Sequence, residues 1–422
     1  MDNFRSLFLL THLFGFNVRS FRQSGSQITS PGLSRSGTVL FLVNASTYLY
    51  FAFQNKALAK DSNYLITGSE LLDVGGHLML QTSYVTMFIA LVGRAARQRQ
   101  MGTILNQFVQ VDRRVRTELG VAVDYDREWR LVLGIFGIFL TVILIAVGFG
   151  VYCLYLLNNL ADGMIFYGGQ IFVSISGLVL AYNTFIMIFL LHRRVCLVQR
   201  CLNPQTMQSN LILIKAKEQI RPTEVLHLKI SQVALIFDDL YNLSLSQSFY
   251  VWTEITSYLG IVVSYGLMTL FATYRAIRTG HFESIVASSM YLVWWAEYCL
   301  GALVILSAGH LLELVSRRTV HILGLVISSD KVRAGLEEIK IRSLMLQITM
   351  NPPKITTWFF DVNLRASSTE ESCQVLGSLY GEFRNKVDAT RCSCERRRLE
   401  LPVWDIPTTV PRCRDGLSAV PA

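Results

Sequence analysis

The sequence predicts an all-α integral membrane protein: six membrane-spanning helices continued by cytoplasmic helical extensions. Three observations carry that prediction. Six long stretches are almost free of charge, the basic residues collect in alternate gaps between them, and the longer gaps place apolar residues at helical spacing. With 422 residues, a mean hydropathy of +0.38 and only 16% charged residues, the apolar content is blocked into spans rather than spread through soluble cores.

No charged residue lies between Arg35 and Lys56, Asp73 and Arg94, Arg130 and Asp162, Asp162 and Arg193, or Glu254 and Arg275. From Glu283 to Glu313 the only charge is Glu297. Each stretch reaches the roughly 20 residues a helix needs to cross a bilayer. The spans fall at 38–57, 72–93, 131–157, 165–191, 252–274 and 284–308.

The arginines and lysines orient them. The N-terminal segment holds Arg5, Arg19, Arg22 and Arg35. The gaps after spans two and four, and the segment after span six, are more basic still, from Arg94 to Arg130, Arg193 to Lys229 and Arg317 to Arg365. The remaining gaps hold only Lys56, Lys60, Arg275 and Arg278. The positive-inside rule then puts the N-terminus in the cytoplasm, opposite to a G-protein-coupled receptor. The net charge of +9 is sorted by loop rather than gathered in one patch, so it does not point to nucleic acid.

The Leu7–Phe16 run has the length of a signal-peptide core. Arg19 and Arg22 follow it without a small-residue cleavage site, which favours a short amphipathic segment. The outer loops are short, so anything recognised from outside must be small and must enter between helices. The inner segments are longer. Residues 94–130 (Ile104, Leu105, Phe108, Val111, Val115), 220–250 (Val225, Leu228, Val233, Leu235, Ile236, Leu240, Leu243) and 311–350 (Leu323, Val326, Leu336, Ile339, Leu344, Leu346) read as helices running beyond the membrane. They form either an intracellular bundle suited to oligomer contacts or helices lying on the membrane surface. Residues 366–422 change character: their longest charge-free run is ten residues, Ser372–Gly381, and they are expected to be a polar, disordered tail.

No enzyme motif is present: no His-Glu-x-x-His, no Gly-x-Ser-x-Gly, no phosphate-binding loop and no metal-ligand spacing. Cys392-x-Cys394 is too isolated for a zinc site. The tripeptides at Asn44 and Asn242 fall in a span and on the inner side, where glycosylation does not occur. No cysteine lies in an outer loop, so no extracellular disulfide is expected. Cys196 and Cys201 sit at a juxtamembrane position of the kind that is S-palmitoylated, with free thiols as the default.

Polar residues inside spans are the candidate ligand-binding set. A mid-bilayer charge costs at least ~2.5–3.5 kcal/mol, so Glu297 must face protein or water. It lies among Tyr291, Trp294, Trp295 and Tyr298, whose spacing of four stacks aromatic pairs along the helix. Such surfaces suit flat or cationic molecules, although plain interhelical packing accounts for them as well. Asp73, His77 and Gln81 recur every fourth residue and either line a pocket mouth or touch the next helix. Gln170 and Tyr265 are weaker candidates.

Topology and one motif together resemble the insect gustatory receptor family. The motif is Ser343-Leu344-Met345-Leu346-Gln347, followed by Trp358-Phe359-Phe360-Asp361-Val362-Asn363. In the family it reads loosely Ser-Leu-x-Leu-Gln, then Gly/Trp-Phe-Phe-x-Leu-Asn. The resemblance covers residues 1–365. It implies a tetrameric ligand-gated cation channel, homomeric or formed with related receptors, in the plasma membrane of taste neurons, opened by a small-molecule tastant and needing no cofactor. The family has seven spans, and its last lines the pore and ends in Thr-Tyr-(apolar)-Gln-Phe. After Arg365 neither that span nor that signature is found. The chain is therefore expected to lack the pore-lining helix. The alternative of a secondary transporter is disfavoured, because no internal repeat and no broken helix pair is visible.

Overall fold

A computed structural model describes residues 11–24, 27–58, 70–121, 123–156, 160–202, 222–328, 336–357 and 362. They belong to one of two units into which the chain divides, Met1–Ala366. The second unit, Ser367–Ala422, and the tail expected there lie outside the described residues.

Each predicted span sits inside one long helix, save residue 157 of the third, which lies outside the described residues. The helices are α1 (Arg35–Leu58), α2 (Glu70–Glu118), α3 (Tyr125–Leu156), α4 (Leu160–Leu202), α5 (Pro222–Thr279) and α6 (Phe282–Ser328). A shorter α7 (Leu336–Met350) follows. All six long helices contain segments apolar enough to cross a membrane. At 58 residues α5 is about 87 Å long, far more than a bilayer is thick.

The helix ends have local causes. Asp124 caps α3, its Oδ1 accepting from the Arg127 amide at 3.1 Å, and Asp126 and Glu128 place negative charge in the first turn. Ser34 caps α1 by accepting from the Gly37 amide at 3.3 Å. Gly280, at φ +65°, ends α5 in the left-handed region and lets α6 start two residues later. Pro352 and Pro353 follow the end of α7, where no helix can continue.

The extensions leave the spans without a break and pack on one another. Phe108, Val111 and Val115 of α2 are buried, as are Ile236, Phe237 and Leu240 of α5. The α2–α5 pair makes the most extensive contact of any two elements. Two expected helices are interrupted. The 94–130 segment breaks at Gly120, φ +70°, before α3 begins, and the 311–350 segment ends α6 at Ser328 and restarts as α7. The N-terminal segment is more than a short amphipathic stretch. Beyond Thr11–Leu13 it turns at Gly15 and forms an antiparallel hairpin, β1 (Arg19–Ser24) with β2 (Gln27–Leu33). Gln98 of α2 holds it: one carboxamide oxygen accepts from the Val18 and Arg19 amides at 2.7 and 2.8 Å.

The core is centred on α4. Its apolar window is 83% buried, against 22% for those of α1 and α3, so α4 is the hub and α1 and α3 lie at the periphery. Neighbours approach through glycine notches occupied by tyrosine hydroxyls. Tyr84 lies against Gly169, Tyr167 against Gly150, Tyr258 against Gly301 and Tyr291 against Gly76, each so close that a Cβ would collide. Small residues allow this approach where lipid tails give no hydrophobic drive between helices.

Substituting alanine for Gly169 should therefore destabilise the bundle by about 1–3 kcal/mol. Tyr84→Phe, which removes the clashing hydroxyl, should recover part of the loss. Thermal unfolding in detergent of the single and double variants checks this, and no recovery in the double variant would contradict the notch.

Candidate functional site

Two polar constellations are buried inside the bundle. The first lies toward the end where short connections join the helices, and gathers most of the candidates read from the sequence. Gln170 of α4 accepts a hydrogen bond at Oε1 from the Tyr265 hydroxyl of α5. The Tyr265 ring lies 4.8 Å from that of Tyr298 on α6, and the Tyr298 hydroxyl is 3.1 Å from Ser174 Oγ, one turn beyond Gln170. Tyr258, two helical turns from Tyr265, meets Tyr298 edge-on at 5.9 Å. Trp294 meets Tyr167 of α4 edge-on at 5.6 Å, and Tyr167 donates to the Val147 carbonyl of α3 at 2.5 Å.

The ring contacts of Trp294 and Tyr298 thus run across helices, which corrects the expectation of aromatic pairs stacked along α6. Both rings are almost fully buried, and burial turns them toward neighbouring helices. Glu297 is 8% exposed, and its Oε2 has no hydrogen-bond partner among the described residues. The same holds for Gln170 Nε2. An acceptor and a donor are thus left open around the tyrosine cluster, each costing about 1–3 kcal/mol while unsatisfied.

The polar face of α2 turns toward α1. His77 Nδ1 lies 2.6 Å from Asn55 Oδ1, and Asn55 Nδ2 donates to the His77 carbonyl at 2.8 Å and more weakly to Gln81 Oε1 at 3.5 Å. His77 and Gln81 thus contact α1 through Asn55. The Asp73 side chain is outside the described residues. The Tyr291 hydroxyl fills the Gly76 notch, Thr269 of α5 donates to the Tyr291 carbonyl at 3.1 Å, and the half-buried Trp295 indole lies against Gly266.

The second constellation went unseen in the sequence. Arg94 and Glu254, on α2 and α5, form an ion pair at 3.0 Å with side chains at most 1% exposed. Thr184 of α4 donates to Glu254 Oε2 at 3.0 Å, and the Arg94 guanidinium lies over the rings of Phe16 and Tyr250. Arg194 of α4 bonds Asp112 of α2 at 2.9 Å and Glu128 of α3 at 2.6 Å. Tyr125 donates to the same Asp112 at 2.5 Å. Both arginines had counted as loop charges. The signal available was their position at the ends of charge-free runs, with acids at matching positions on other helices.

The motif segment after α6 is partly described. Leu344 is buried on α7, Gln347 is half-buried, and the Thr356 amide beyond α7 donates to Ser248 of α5 at 3.0 Å. Trp358, Phe359, Phe360, Asp361 and Asn363 lie outside the described residues.

The fold and buried polar core define a multi-pass helical membrane protein. Residues 4–367 match the sequence profile of a family described as 7tm chemosensory receptor, and the chain belongs to that family. Among solved structures the chain resembles the insect olfactory receptor OR5 from Machilis hrabei, with 11% identity and a TM-score of 0.59. That match covers 92% of this chain and 97% of the other, and it bears on fold alone. No curated protein matches the chain.

Removing one partner of a buried ion pair leaves the other charge stranded, at about 3–5 kcal/mol. Arg94→Met should therefore abolish a monodisperse detergent-extracted species, and Arg94→Met with Glu254→Leu should restore much of it. Fluorescence-detected size exclusion reads both; equal loss in the single and double variants would rule out the pair as the cause.

Proposed function

We propose that the chain is a gustatory chemoreceptor subunit of a ligand-gated cation channel in the plasma membrane of taste neurons. In this reading its N-terminus is cytoplasmic and it assembles as a tetramer, with itself or with related receptors. The observation that carries the ligand-binding part is the buried tyrosine cluster with two open polar groups, Glu297 Oε2 and Gln170 Nε2. A small tastant that donates to Glu297 and accepts from Gln170 would satisfy both while stacking on Tyr298, Tyr265 or Trp294. Tyr291, Trp295, His77, Gln81 and Asp73 belong to the approach rather than the floor. The motif positions, Leu344 and Gln347 with Trp358, Phe359, Phe360, Asp361 and Asn363, support the gustatory branch by resemblance.

Binding opens the channel only if the ligand prefers the open arrangement, since equal affinity for both states shifts nothing. Here the family's pore-lining last span has no counterpart of span length in residues 366–422.

Two experiments test the reading. Epitope tags at both ends should be reachable only after permeabilisation, because six spans return the chain to its starting side; labelling of either end on intact cells would refute the topology. Expressed alone, the chain should give no tastant-evoked current, whereas a chimera carrying a family last span after Arg365 should respond to some members of a tastant panel. In that chimera Glu297→Gln should raise the half-maximal concentration about tenfold, the equivalent of ~1.4 kcal/mol. An unchanged dose–response would assign Glu297 to packing.

A further inference from the structure

We propose that Cys196 is S-acylated and that its acyl chain lies in the groove between α4 and α6. The groove encloses about 330 Å³, and its lining includes Phe185, Phe189 and His192 of α4 and Leu303, Val304 and Leu311 of α6. One wall is a run of flat rings. Phe185 stacks on Phe189 at 5.7 Å and 23°, and Phe189 on His192 at 6.4 Å and 30°. Steps of four and three residues keep these rings on one helix face, and a further step of four reaches Cys196. Its Sγ lies 3.5 Å from His192 Nε2. The thiol therefore stands at the end of the wall.

The position along α4 sets the direction of the guest. His192 is the last residue before the basic pair Arg193 and Arg194, where the charge-free span ends. From there to Phe185 the wall runs about 10 Å into the apolar segment. A chain attached at Cys196 starts at the membrane boundary and turns back toward the bilayer interior. Cys201 lies about 140° farther round the helix and does not share this face.

The groove's chemistry favours a tethered chain over a free anionic lipid. Leu303 and Leu311 are 51% and 48% exposed, so the groove opens on the surrounding lipid, where an untethered tail gains little over bulk bilayer. The two cations that follow His192 along α4 are engaged elsewhere: Arg194 by Asp112 and Glu128, and Arg193 by Glu128 at 3.6 Å. A thioester needs no charged partner and fixes the tail in place. In the transfer, the Cys196 sulfur attacks the carbonyl carbon of a long-chain acyl thioester donor. The new sulfur–carbon bond replaces the donor's, and the proton leaving Cys196, carried by His192, ends on the departing thiolate. No oxidant or reductant is required.

The proposal rests on the topology that puts α4's basic end in the cytosol, which the tag experiment reads separately. The full chain, expressed in cultured insect cells, is treated with hydroxylamine and the released thiols are mass-tagged. One tag is expected, lost in Cys196→Ser and kept in Cys201→Ser. No hydroxylamine-dependent tag, or a tag persisting in Cys196→Ser, overturns acylation at Cys196. To test the seat, Ser307→Trp fills the groove; Val304→Phe replaces it if that variant does not elute as a folded species. Pulse–chase with an alkyne fatty acid should show the label turning over several-fold faster when the groove is filled. Turnover equal to wild type overturns the groove as the chain's seat.

Discussion

Two arginines buried between helices fix the depth at which this bundle is clamped. Arg94 and Arg194 leave α2 and α4 where the charge-free runs end; Arg94 meets Glu254 of α5, and Arg194 meets Asp112 of α2 and Glu128 of α3. A charge so placed has no tolerable state without its partner, because its desolvation is offset only by a close counter-ion and hydrogen bonds. The pairs therefore set the register of α2 against α5, and of α4 against α2 and α3. Small slips are excluded, since a slide of one residue, about 1.5 Å, would break the 2.6–3.0 Å contacts. The N-terminal segment is drawn into the same layer, with Phe16 under Arg94 and Gln98 holding the backbone of Val18 and Arg19.

Toward the short loops, packing takes over from charge. α4 brings Gly169, Ser174 and Gly177 against Tyr84 and Tyr298, while Gly150 of α3 receives Tyr167. A notch has no alternative occupant of the same shape, so each tyrosine is held in one rotamer and its neighbours inherit that order. This is why Glu297 and Gln170, despite being polar and buried, are not free to swing toward partners of their own. The frame that orders the rings leaves the two groups open.

The spans were legible because bilayer crossing demands a long run without charge, and such a run is visible residue by residue. The extensions were legible from helical spacing, as with Phe108, Val111 and Val115. The breaks at Gly120 and after Ser328 were not, since one glycine inside a periodic pattern is tolerated as often as it terminates a helix. The hairpin was missed although Gly25-Ser26 is a turn-forming pair, because the flanking residues lack clean alternation. Of the candidate residues, Gln170, Tyr265, Trp294 and Tyr298, chosen by their type within a span, come together in one buried cluster. Ser174, Tyr167 and Tyr258 were not singled out, because a serine or tyrosine in an apolar run carries no mark of the face it will occupy. The ion pairs were hidden for a related reason: 160 residues separate Arg94 from Glu254, and only the folded arrangement joins them.

The two constellations share α5. Tyr265 and Glu254 are eleven residues apart on one uninterrupted helix, about 16 Å along its axis. Tyr265 touches the cluster that holds the open polar groups, and Glu254 closes the clamp on α2. A displacement of Tyr265 by a ligand cannot be absorbed by a loop between them, because there is none. It must appear as rotation or tilt of α5, resisted at Glu254 by a pair that tolerates little movement. Beyond the clamp, Asp239 on the same helix contacts Arg114 of α2 at 2.5 Å, and Ser248 receives the segment after α7. In the proposed function a ligand acting on α5 works against a stiff pivot, and its effect is largest in the extension beyond Glu254, where the half-buried ion pair with Arg114 gives way more readily than the fully buried one.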